Sequence, residues 1–140
     1  MTAPIGRSQI FDSSGNAVTF AANTGVTLLP SAARTTTQTS ADLVNSNAKF
    51  VHVILDMTVV GTGSVTVTIN GKDPASGKYY LLLAGAAVTT NVTNVYKVGP
   101  GLTAAANAAA NDFVPAIFQI VVTANNANSA TYSVGYNLTA

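Results

Sequence analysis

His52 is the only histidine in the sequence and the only side chain whose ordinary pKa suits general-base work near neutrality. A Ser-His-Asp hydrolase needs such a base, oriented by a carboxylate. Asp56 lies four residues further on, and in an extended strand both would share one face. Four residues of strand span about 13 Å, too far for a direct hydrogen bond. His52 is therefore expected at the surface or at a subunit contact. Paired carboxylates, as in glycosidases, are no better supported. There is no Glu, and the Asp residues (Asp12, Asp42, Asp56, Asp73 and Asp112) stand mostly in turn-like contexts. Asp12 and Asp73 read as turn formers and Asp42 as a loop or cap residue.

Metal chemistry meets the same shortage. The chain has no Cys, no His pair and no alternating-Asp calcium loop. Gly71-Lys72-Asp73-Pro74-Ala75-Ser76-Gly77-Lys78 is superficially close to a phosphate-binding loop. That loop needs four residues between its glycines, then Lys and Ser or Thr, then a helix. Here five intervene, and Tyr79 follows Lys78. Pro74 pre-sets a turn angle and Gly77 accepts a positive φ, so a tight turn is expected. Asn91-Val92-Thr93 and Asn137-Leu138-Thr139 match glycosylation sequons, which are read as chance matches. Tyr79, Tyr80, Tyr96, Tyr132 and Tyr136 could build a sugar-stacking platform, although a split between core and strand faces is the stronger expectation. No catalytic residue, cofactor or metal is expected, and the chain reads as a non-enzyme.

Composition narrows the partners. Only 8% of the 140 residues are charged, against about a quarter in ordinary domains. Arg7, Arg34, Lys49, Lys72, Lys78 and Lys97 are scattered, so no basic cluster exists to displace counterions from nucleic acid. No apolar run reaches the length of a membrane helix, and residues 1–7 lack the pattern of a secretion leader. A net charge of +1 opposes self-association only weakly, which suits a protein held in a fixed assembly.

The elements that must position these residues are strands. Val51, Val53, Leu55, Met57 and Val59 fall on one face, with His52, Ile54, Asp56 and Thr58 on the other. Val65, Val67 and Ile69 alternate with Thr66, Thr68 and Asn70. The segment 79–83 completes a hairpin with that strand. A strand is expected over about 88–98, weakened by Asn91 and Asn94 and stopped by Pro100-Gly101. Residues 102–111 are mostly Ala and Asn; they read as a compact irregular loop or, less favoured, a short helix. Residues 117–123 are apolar on both faces and read as a central strand. Tyr132, Val134 and Tyr136 alternate in a last strand. Residues 1–30, rich in Ser, Asn, Gly and Thr, read as an N-terminal arm or edge hairpin, with turn chemistry at 12–16 between Gln9-Ile10-Phe11 and Ala17-Val18-Thr19-Phe20. Residues 31–140 then form one all-β domain, an antiparallel β-sandwich of jelly-roll or immunoglobulin-like order with six or seven strands.

Lys49-Phe50-Val51-His52-Val53-Ile54-Leu55-Asp56, the run from Val65 to Tyr80, Pro100-Gly101-Leu102-Thr103 and Tyr132-Ser133-Val134-Gly135 are turn and strand-face signatures. Over residues 33–138 they resemble small β-rich proteins of tailed bacteriophages, of the kind that decorate capsids as cement proteins. The resemblance implies a virion structural protein, made in the host cytoplasm and seated on the outer capsid surface. It implies the major capsid protein and further copies of the chain as partners, a homo-trimer being favoured over a dimer. Contacts are then expected from the arm (Ile10, Phe11, Val18, Phe20) and from the loop 99–112 (Leu102, Asn107, Asp112). The alternative is a tail, baseplate or receptor-binding β module that recognises host carbohydrate.

Overall fold

In a computed structural model of the chain, the structure describes residues 10–11, 13–18 and 23–140. These form strands, turns and loops. Strands β1 (Ile10–Phe11) and β2 (Ala17–Val18) make a small antiparallel hairpin, as the turn chemistry between them requires. Two larger sheets make up the rest. In the first, β3 (Thr24–Arg34) pairs with β12 (Ala130–Thr139), β12 with β6 (Phe50–Val59) and β6 with β9 (Val92–Val98). The short β10 (Ala109–Ala110) adds a parallel edge to β9. In the second, β4 (Gln38–Thr39) and β5 (Leu43–Val44) both pair with β11 (Ile117–Ala124), followed by β7 (Val65–Lys72) and β8 (Tyr79–Ala84).

The strand order decides between the two expected sandwiches. With β4 and β5 counted as one interrupted strand, the eight principal strands lie 1-8-3-6 in one sheet and 2-7-4-5 in the other. That is a jelly roll. An immunoglobulin sandwich would set its last two strands side by side, whereas β11 and β12 lie in opposite sheets.

Alternation drives the packing. Val51, Val53, Leu55 and Met57 of β6, Val65, Val67 and Ile69 of β7, Phe118, Ile120 and Val122 of β11, and Tyr132, Val134, Tyr136 and Leu138 of β12 all point inward and are buried in one cluster. Phe118 and Tyr136 meet edge to face across the two sheets, 5.8 Å between ring centroids at 88°. Strand β11 is interior, as its two apolar faces foretell.

Two expectations change, and a third is met. The boundary drawn at residue 30 falls inside β3, which pairs with β12 from Thr24↔Leu138 to Arg34↔Ala130. Twice along this ladder β3 carries one more residue than β12, between Ala32 and Leu29 and again between Leu29 and Thr27. Pro30, lacking an N–H, sits in the first of these irregular stretches on the edge strand, where such a residue is tolerated. Arg34 fastens the stretch: its guanidinium donates to the carbonyls of Pro30 and Tyr132 at 2.6 Å each and lies 4.8 Å over the Tyr132 ring. The run 88–98 is not one strand. Val88 bridges to Val65 in the second sheet, the chain crosses over, and Val92–Val98 joins β6 in the first. The segment 102–111 takes the loop form. Ala105 accepts from Ala108 and Ala109, and Asn107 takes a left-handed φ of 62°.

The two sheets place the chain's connections at two poles. At one, β3 begins, β12 ends, and the segments 45–49, 73–78 and 99–116 link strands. The connections 35–37, 60–64, 85–91 and 125–129 lie at the other. Leu55, wholly buried at the centre of β6, is the test of the core. Leu55→Ala is expected to lower the unfolding free energy by about 2–5 kcal/mol in urea titration, with the m-value unchanged.

Candidate functional site

The first pole gathers the features with chemical character. Its organiser is Asn45, half-buried just after β5. The Asn45 side-chain amide donates to the carbonyls of Ala48 (2.9 Å) and Val114 (3.0 Å), and its Oδ1 accepts from the Ala48 amide (2.8 Å). Its own amide donates to Ala116 at 2.8 Å. One side chain thus staples the segments 45–48 and 114–116 together. Immediately before those segments, one ahead of each, stand the most exposed large apolar residues of the pole, Phe113 at 76% and Val44 at 63%.

Beside them is a cleft of about 390 Å³ lined by Asp42, Lys72, Pro74, Tyr80, Pro115 and Ile117, among others. Gly71 leaves room for the Tyr80 ring, since a Cβ there would come within 2.4 Å of it. Asp42 links three elements: its Oδ2 pairs with Lys72 Nζ at 2.5 Å and its Oδ1 accepts from the Tyr79 hydroxyl at 2.5 Å. The Lys72 ammonium also lies 5.3 Å from the Tyr79 ring centre. The hydrogen bond from Lys72, and then that from Tyr79, hold the Asp42 carboxyl below the ordinary carboxylate range. The same bonds to Asp42 raise the Lys72 ammonium and the Tyr79 hydroxyl. These groups satisfy one another, so the trio acts as a clamp between the β4–β5 link and the β7–β8 hairpin.

The turn 73–78 is the turn its sequence describes. Asp73 accepts from the Ala75 amide at 3.0 Å and from the Ser76 hydroxyl at 2.6 Å, and Gly77 has φ +70°. The Ser76 hydroxyl, then the Ala75 amide, lower the Asp73 carboxyl. His52 and Asp56 share the outer face of the first sheet and do not meet. His52 stands opposite Lys97, and Asp56 accepts from the Thr93 hydroxyl at 2.8 Å. The five-tyrosine platform does not assemble: Tyr96, Tyr132 and Tyr136 are buried, and Tyr79 and Tyr80 remain 44% and 46% exposed. Among the described residues, no group of three or more His, Cys, Asp or Glu could hold a metal ion.

Of the expected contact residues, Leu102 is half-buried, while Asn107 and Asp112 are exposed. The Asp112 carboxylate is occupied by the Phe113 amide at 2.7 Å. Phe11 is exposed on β1, Ile10 pairs with Val18 across the hairpin, and Phe20 lies outside the described residues. The loop 99–112 and the start of β3, where the arm enters, belong to the same pole. Sequence reasoning passed over Asn45, Val44 and Phe113, because each gains its character only from the crossing of 45–48 and 114–116.

The clamp predicts a pH dependence. Asp42 has a depressed folded pKa, so its contribution is present above the unfolded value of about 3.9 and disappears as pH falls through the lower folded value. Lys72 and Tyr79 are raised, so theirs is present below their unfolded values of about 10 and disappears as pH rises through the folded ones. Asp42→Asn should therefore lower Tm at pH 7, with the difference from the native protein narrowing at pH 2–3. A constant difference across that range would contradict the clamp. No protein-family model and no curated protein matches this chain.

Proposed function

We propose that the protein is a virion structural protein, a capsid decoration protein that binds the outer shell and stabilises contacts between major capsid subunits. The supporting observation is the convergence at one pole of the arm's entry into β3, the loop 99–116 and the exposed Phe113 and Val44. Loops held by a rigid scaffold are the usual place for recognition. Jelly rolls recur in viral capsid proteins, a fold-level analogy that carries less weight than the surface itself. Many weak contacts repeated by a symmetric lattice give avidity without a strong single site. A ligand that binds only the assembled shell raises the cost of taking it apart.

A second reading, carbohydrate recognition by a tail or receptor-binding module, is favoured by one feature. The exposed Tyr80 ring borders a cleft that also holds Asp42 and Lys72, and aromatic faces with nearby polar groups suit sugar rings. Glycan binding that is lost in Tyr80→Ala, without shell binding by the native chain, would select this reading.

The direct test is co-sedimentation of the full chain with particles lacking it. Phe113→Asp should weaken binding by about tenfold or more. Removing residues 1–22, which leaves every principal strand intact, should abolish binding while preserving the β-type circular dichroism spectrum. Thr90→Asp, at the opposite pole, should change nothing. Full binding by the truncated chain, or loss only in Thr90→Asp, would refute the assignment of this pole.

A further inference from the structure

The outer face of the first sheet is ordered in rows across its strands. In the middle row, Gly135, Ile54 and Val95 stand side by side on β12, β6 and β9. One step along the strands is a basic row, with His52 beside Lys97. One step the other way is an acidic row, with Asp56 beside Thr93. Each flanking row lies about 7 Å from the middle one. Gly135 adds no side chain, Ile54 is only half-buried although apolar, and Val95 is 40% exposed. The only ion pair among the described residues is Lys72–Asp42, so Lys97 and Asp56 lack opposite-charge partners there.

We infer that this face pairs two copies of the chain about a two-fold axis running along the middle row, across the strands. Charge selects this axis. Two flat sheet faces can meet with aligned strands about an axis lying in the contact plane, either along the strands or across them. An axis along β6 would set Asp56 on the partner's Asp56, and like charges face to face are unfavourable. An axis across the strands reverses the partner's strand direction. His52 of each copy then faces the partner's Asp56, Lys97 lies diagonal to it, and Ile54 and Val95 meet their own images. The face is self-complementary in this one arrangement: apolar in the centre and charged on both sides, with opposite signs. Only two-fold pairing matches rows in this way, so the assembly is a dimer where the family resemblance implies a trimer.

Sedimentation velocity on the full chain tests this with a charge exchange. The native chain should sediment as a dimer. Ile54→Lys should weaken dimerisation by about tenfold or more. Val95→Lys, at a more exposed position, should do the same and covers the case in which Ile54→Lys fails to fold. Asp56→Lys and Lys97→Asp should each weaken the dimer, and the two together should recover part of that loss, because the exchanged charges again meet opposite signs on the diagonal although His52 still faces position 56. A native monomer or trimer would overturn the inference. So would a dimer that is indifferent to Val95→Lys, or a double variant no better than the single ones. None of these outcomes depends on shell binding, so the dimer and the proposed function stand or fall separately.

Discussion

The pairing of the C-terminal strand with both its neighbours holds this molecule together. Strand β12 lies between β3, which opens the domain, and β6, which comes from its middle. Ala130, Tyr132, Val134, Tyr136 and Leu138 form its inward side and are all buried. Tyr136 reaches the opposite sheet through Phe118. Without β12, β3 would have no ladder partner and β6 would present an open edge, the situation in which strands recruit other chains. Because β12 pairs with segments about 80 and 110 residues earlier, the fold is dominated by non-local contacts, and jelly rolls of this kind are expected to fold slowly.

Legibility in the sequence followed the same physics. Strands β6, β7 and β12 were readable because one inward face forces a period of two, and β11 because it is apolar on both faces. Strand β3 was not, since Thr24–Arg34 carries two extra residues and a proline, so its side chains lose strict alternation. Leu28 and Leu29 are consecutive and both half-buried. The pair β4 and β5 was also silent. It is two residues, an interruption and two more, and the Ser40 hydroxyl takes the Ile120 amide at 3.0 Å in the gap. The run at 88–98 misled for another reason: a chain that changes sheets keeps its β-forming composition while exchanging partners.

At the pole, turn chemistry was legible and tertiary chemistry was not. Asp73, Pro74 and Gly77 announce their turn within six residues, because the hydrogen bonds are local. Asp42 meets Lys72 and Tyr79 only because the β4–β5 link crosses the end of the β7–β8 hairpin, and no local pattern encodes a meeting across 30 and 37 residues. Asn45 on Val114 belongs to the same class. Scarcity of charge sharpens what the fold then does with it. With so few ionic groups, each placement carries a larger share of specificity, whether in the clamp or on the outer sheet face.

The pole and the face point in different directions, and their geometry couples two separate proposals. A two-fold axis across the strands reverses the strand direction between copies, so the loop poles of a dimer face opposite ways. A shell surface could then engage one pole, leaving its equivalent directed outward. Such a dimer would decorate the shell with two chains for each docking site, one in contact and one displayed. The outward pole would carry the same Tyr80 cleft and the same exposed Phe113, now free for a second partner. Under the two proposals together, binding a shell and presenting a recognition surface would not be rival roles, because two-fold symmetry would supply both from one sequence.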